Sequence, residues 1–218
     1  MPYQLDERLA FPHPALADED GLLAIGGDLS LERLLLAYQH GIFPWYDEHS
    51  PILWYAPHER FVLNPKAIKI SKSMRQFMRR TGCQVHTDRA FDQVIAHCGN
   101  VPRRGQEGTW ITAEMQAAYQ QLHRAGYAHS IETYNEADQL IGGLYGVQVG
   151  GVFCGESMFS LAPNASKLAL IYLCQQFNFQ WIDCQIYSEH LSAMGADYMS
   201  GETYYQILQQ QSLVPYLK

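Results

Sequence analysis

The spacing of apolar positions changes along the chain. LERLLLAYQ is apolar on most sides, with Ser30 placed to cap it and Gly41 to stop it. This predicts one buried helix over residues 31–40. GIFPWYDEHSPILWYAP follows, aromatic and Pro-rich, and reads as a folded loop region. The pattern changes near Phe61, which suggests a boundary between a small N-terminal domain (1–60) and a larger one (61–218). Residues 68–70 read as a short strand, and Ser71 caps a helix to about Arg80 that carries Lys72, Arg75 and Arg79 on one face. Two more helices are expected over 91–98 and 113–124, the second capped by Thr112 and ended by Gly126, with a polar loop, VPRRGQEG, between them. Strand-like alternation then begins at 130–134. Residues 140–149 and 152–156 form a hairpin about Gly150 and Gly151, and a helix capped by Asn164 runs to about Phe177. An apolar strand over 181–186 and helices near 189–194 and 202–211 complete an α+β, or mixed α/β, domain.

Composition adds exclusions. Hydrophobic residues are 47% of the chain, but no apolar run reaches the roughly 18 residues a bilayer span needs, and the N-terminus lacks the apolar core of a secretory signal. Five cysteines (83, 98, 154, 174, 184) are odd in number and form no C-x-x-C pair, so reduced thiols in a cytoplasmic protein are expected, without a zinc site. The net charge of -7 argues against an anionic partner until the charges are placed. Arg60, Lys66, Lys69, Lys72, Arg75, Arg79 and Arg80 fall in a window without Asp or Glu, which gives a local +7 on an acidic protein. A solvated helix face explains such a cluster about as well as a phosphate-binding surface.

Several residues carry candidate chemistry. Gly155-Glu156-Ser157-Met158 approaches a nucleophile elbow, but the second glycine is missing and bulky Met158 and Phe159 follow Ser157. Glu156 and Asp183 each end an apolar strand, where a carboxylate has to be paired or functional. Asp183 and Gln185, two apart on one strand, are expected on the same face, where the carboxylate would orient the amide. Trp45, Trp54 and Trp110 sit in polar or Pro-rich surroundings that suit either base stacking or a core role.

In order, GLLAIGGDLSLERLLLAYQHGIFPWY, PILWYAP, EGTWIT, GYAHSIE, LIGGLYGV, FCGESMFS, NASKLAL and IDCQ resemble the bacterial leucyl/phenylalanyl-tRNA–protein transferases over nearly the whole chain. The resemblance implies transfer of Leu, Phe or, less well, Met from aminoacyl-tRNA to the α-amino group of proteins beginning with Arg or Lys, as a mark for N-degron degradation. It implies a GNAT-like C-terminal acyltransferase domain. It places Trp45, Trp110 and Tyr119 at the terminal adenosine. Leu144, Phe153, Met158, Leu173, Phe177 and Ile182 would form the aminoacyl pocket, and Glu156, Asp183 and Gln185 the catalytic centre. Leu144 and Leu173 stand where Met and Phe are familiar. Lys66, Lys69, Lys72, Arg75, Arg79 and Arg80 would meet the tRNA backbone.

The aminoacyl ester is already activated, so no cofactor, metal or ATP is expected, and a monomer suffices. Asp183 would orient Gln185, and the amine's proton would pass to Asp183, to water or to the leaving 3′-hydroxyl side. Glu156 would either grip the cationic acceptor or hold the site's shape. The rival classes are a CoA-dependent acetyltransferase, for which no [RQ]-x-x-G-x-[GA] loop is present, an editing or binding module for aminoacyl-tRNA, and a serine hydrolase.

Overall fold

The computed structural model describes residues 1–100, 111–213 and 215 of the chain. In order the elements are β1 (Tyr3–Leu5), β2 (Leu22–Gly26), α1 (Leu31–Gln39), β3 (Phe43–Pro44), β4 (Leu53–Tyr55), β5 (Glu59–Leu63), α2 (Lys72–Arg80), β6 (Gln84–Thr87) and α3 (Phe91–Asn100). They continue as α4 (Ala113–Arg124), β7 (Ala128–Tyr134), β8 (Leu140–Val149), β9 (Val152–Ser160), α5 (Ala165–Gln176), β10 (Trp181–Gln185), α6 (Glu189–Ala193), β11 (Asp197–Ser200) and α7 (Gly201–Gln209). The capping expectations hold at three helices, where Ser30, Ser71 and Thr112 accept from the backbone N–H three residues on, and Ser188 and Ser200 cap α6 and α7 in the same way. Asn164 precedes α5 but sits in the left-handed region at φ +69°, and its side chain makes no capping bond.

A four-stranded sheet, β1-β2-β4-β3, stands beside a seven-stranded one, β11-β5-β10-β9-β8-β7-β6. In the larger sheet only β9 and β10 pair in parallel, connected through α5; the other neighbours are antiparallel. One face of this sheet packs under α2 and α5, in a core that includes Phe61, Leu63, Phe153, Leu173 and Ile182. The opposite face, with Val62, Val147 and Cys154, shares a continuous core with α1, α3, α4, α7 and the smaller sheet. The 60/61 boundary falls inside β5, whose residues alternate between the two cores.

Residues 68–70 form no strand. Asn64 and Pro65 set up a 3-10 turn, and Lys69 N then donates to Met194 O, which ties the segment to the end of α6. The hairpin expected to end at Glu156 continues to Ser160, where β9 still pairs with β8. Residue 157 is thus inside a strand, and the strand–turn–helix geometry of a nucleophile elbow is absent from it.

Candidate active site

Two irregularities build the centre. Along β8/β9, Tyr145 pairs with Ser157 and Gly146 with Gly155, so Glu156 is one residue more than the partner strand matches. Gly146 permits this: a Cβ there would lie 2.2 Å from Cys154 O. Along β5/β10, Asp183 pairs with Val62 and Gln185 with Phe61, so Cys184 is the extra residue. Val62 and Phe61 belong to opposite cores, and the bulge therefore puts Asp183 and Gln185 on opposite faces, which corrects the same-face expectation. Ile186 N donates to Cys184 O across Gln185, whose φ is +63°. This is the γ-turn with a positive central φ, a rare and strained conformation.

The parallel pairing of β9 and β10 is recorded from Trp181↔Val152 to Asp183↔Cys154. Two residues further along each strand, Gln185 Nε2 donates to Glu156 Oε1 at 2.7 Å. The amide is thus oriented by Glu156, and Asp183 acts on the same residue through its backbone, where Gln185 N donates to Asp183 Oδ1 at 2.8 Å. Glu156 Oε2 accepts from Tyr119 at 3.2 Å, and the Tyr119 hydroxyl is hydrogen-bonded to that of Tyr38. Burial of this carboxyl pushes its pKa from the ordinary 4.5 up to about 7, against the pull of the tyrosine hydroxyls.

Asp183 is fully buried, and its oxygens accept from four donors: Arg60 Nε and NH2, Tyr204 OH and Gln185 N. Arg60 is buried too (1% exposed), held between the rings of Phe43 and Tyr204, with NH1 on Gly41 O. Burial works against its cation, and the charge of Asp183 more than offsets that, holding its pKa above the usual value. Arg60 therefore leaves the surface cluster to which the sequence assigned it. Lys66, Lys69, Lys72, Arg75, Arg79 and Arg80 are exposed and make no ion pair among the described residues.

Glu156, Asp183 and Gln185 border a cavity of about 410 Å³. Its apolar wall includes Leu144, Phe153, Met158, Leu173 and Ile182. Phe177 lies outside this lining and packs against Tyr172 and Phe179. Trp45 lines the cavity; Trp54 is core, with its indole N–H on Gly26 O at 2.8 Å. Tyr119 is fully buried and meets the centre through its hydroxyl, so its ring is not offered to a ligand. Trp110 and the VPRRGQEG loop lie outside the described residues. Sequence reasoning missed Arg60, Tyr38 and Tyr204. Only Arg60, a cation inside the strand-like ERFVL, carried a signal.

An apolar cavity ending at a buried carboxyl–amide pair suits a substrate with a hydrophobic side chain and a polar reacting group. The family model for leucyl/phenylalanyl-tRNA protein transferase matches residues 62–209, and that for its N-terminal domain matches residues 27–58. The chain is 52% identical over 217 residues to the leucyl/phenylalanyl-tRNA–protein transferase of Syntrophus aciditrophicus, covering 98% of this chain and 90% of that protein. It is 53% identical over 190 residues to the protein of the same name from Myxococcus xanthus (86% and 81%). The chain belongs to the leucyl/phenylalanyl-tRNA protein transferase family. Among solved structures, that of FemX aligns with a TM-score of 0.49 and 10% identity, over 87% of this chain and 75% of FemX.

Proposed function

We propose that this protein transfers leucine or phenylalanine, and methionine less well, from aminoacyl-tRNA to the α-amino group of proteins beginning with Arg or Lys, which marks them for N-degron degradation in the cytoplasm. The observation that carries the reading, beside family membership, is the apolar cavity ending at Glu156 and Gln185. The aminoacyl side chain fills the wall of Leu144, Phe153, Met158, Leu173 and Ile182, and its ester carbonyl lies toward the polar end. Trp45 in the cavity lining, with Trp110, stacks on the terminal adenosine. The exposed cations of 66–80 follow the tRNA backbone. The GNAT-like domain begins at about residue 61, and the small N-terminal domain supplies Trp45.

Chemistry follows from which polar atoms are occupied. Gln185 Nε2 is bound by Glu156, and no bond to Gln185 Oε1 occurs among the described residues. That oxygen accepts from the incoming amine and aims its lone pair at the ester carbonyl. The C–N bond forms, the tetrahedral oxyanion collapses with cleavage of the ester C–O bond, and the tRNA 3′-oxygen leaves with the proton that the amine gave up, returned to it by Glu156. The amine's own proton passes to Glu156, whose carboxyl is poised near neutrality. Asp183, with four donors on it, neutralises Arg60 and holds the γ-turn that presents Gln185. Positioning of two bound substrates supplies much of the rate.

Labelled Leu-tRNA offered with two peptides, one beginning with Arg and one with Ala, tests the reading. Label on the Arg peptide alone is expected. Free leucine in place of a peptide product would point instead to an editing enzyme.

A further inference from the structure

Beyond the cavity mouth lies a row of aromatic side chains that the reaction has not used. In register, Tyr198 of β11 pairs with Phe61 of β5, and Phe61 pairs with Gln185 of β10. Directly opposed residues of an antiparallel sheet point to the same face, so Tyr198, Phe61 and Gln185 form one row from the sheet edge to the reaction centre. Tyr187 completes it, lining the cavity and lying nearly parallel to Tyr198, with ring centroids 6.3 Å apart and planes at 14°. Both rings meet Phe61 edge-on, at 5.3 and 5.2 Å. Phe61 is buried beneath them, whereas Tyr187 and Tyr198 are each about half exposed, 52% and 51%, beside 45% exposed Ile186. The result is a firm apolar ledge with its upper surface uncovered.

Charge separates this ledge from the basic helix. From residue 184 to 217 the chain has no Lys or Arg and three acids, Glu189, Asp197 and Glu202. Glu189 follows Tyr187 closely, and Glu59 on β5 shares the row's face two residues from Phe61; both are exposed, whereas Asp197, opposite Val62, lies on the other face. Phosphates are disfavoured beside such acids, and a cationic partner is favoured.

We propose that this ledge is the docking track for the acceptor protein, and that it holds residues two to four of the acceptor's N-terminus in an extended conformation. This rests on the activity proposed above and names the second substrate's path to the same centre. The row is continuous with the cavity and ends at Gln185, where the acceptor amine has to arrive. Two strand spacings separate β11 from β10, about 10 Å, which is close to three extended residues. Tyr187 and Tyr198 offer rigid, sequence-tolerant contact area, as fits an enzyme whose acceptors share only their first residue.

The test compares the dipeptide Arg-Gly with the hexapeptide Arg-Gly-Leu-Ala-Gly-Gly as acceptors for Leu-tRNA. In the native protein the hexapeptide is expected to have the lower KM, by about tenfold. Tyr198→Ala should remove most of that gap and leave the KM for Leu-tRNA unchanged. Glu59→Lys with Glu189→Lys, a change of two exposed side chains, should narrow it too. An equal KM for both peptides in the native protein, or a gap that survives in both variants, overturns the proposal. So does a variant whose loss appears in the KM for Leu-tRNA, which would assign the ledge to nucleic acid. Absence of transfer to either peptide by the native protein would instead refute the activity itself.

Discussion

The Arg60 guanidinium lies against the Asp183 carboxylate through two bonds, Nε to Oδ1 at 2.8 Å and NH2 to Oδ2 at 2.6 Å, with both residues out of solvent. Removing one member of such a pair strands a buried charge, which costs on the order of 3–5 kcal/mol. Arg60→Leu is therefore expected to destabilise by that amount in urea unfolding. Arg60→Leu combined with Asp183→Asn should lose less than the two single changes summed, since no charge is left behind.

Glu156 is expected to make both activity and stability depend on pH. Its folded pKa, about 7, lies above the ordinary 4.5, so the folded state holds the proton more tightly than the unfolded one. The corresponding stability is fully present below pH 4.5 and is lost as pH rises through 7, on the order of 3 kcal/mol in all. Glu156→Gln should flatten the unfolding free energy over that window. The same variant should abolish the rise of transfer rate with an apparent pKa near 7. A rise that persisted would assign the proton to another group.

Much of the site was legible as residue types but not as partners. The helix at 71–80, the helix at 113–124 and the hairpin about Gly150 followed from caps and spacing, and five of the six residues that the resemblance assigns to the aminoacyl pocket line the cavity. Arg60 was counted with the surface cations because its partner is 123 residues away. The same-face expectation for Asp183 and Gln185 failed because a period of two holds only without a bulge, and one extra residue at Cys184 reverses it. The short strands of the first 60 residues were hidden for a related reason. Two or three residues among Pro, Gly and aromatics are too few to show alternation.

Pocket volume should set the choice of aminoacyl group. Leu173 is fully buried and faces the cavity, so Leu173→Phe narrows it. Phe-tRNA should lose about tenfold in kcat/KM relative to Leu-tRNA, in line with the 1–3 kcal/mol that a methylene-sized change commands.

Lys72, Arg75 and Arg79 lie exposed on α2. Reversing all three charges should weaken Leu-tRNA binding and reduce the slope of log K against log salt by about 2 to 3, since each lost phosphate contact removes about 0.7–0.9. An unchanged slope would exclude this helix from the tRNA path.

Ser157 lies within β9, opposite Tyr145. Ser157→Ala should keep most of the transfer activity, and no acyl group should be found on the protein by mass spectrometry after a single turnover.

Glu156 occupies one bulge, and Gln185 directly follows another. A chain shortened by the single residue Cys184 would have the same helices, the same sheet order and nearly the same core, yet would present Gln185 to the wrong side of the sheet. Chain length, as much as residue identity, thus sets the geometry at these two points, and a one-residue deletion there would do what no conservative substitution does: leave the scaffold standing and part Gln185 from Glu156.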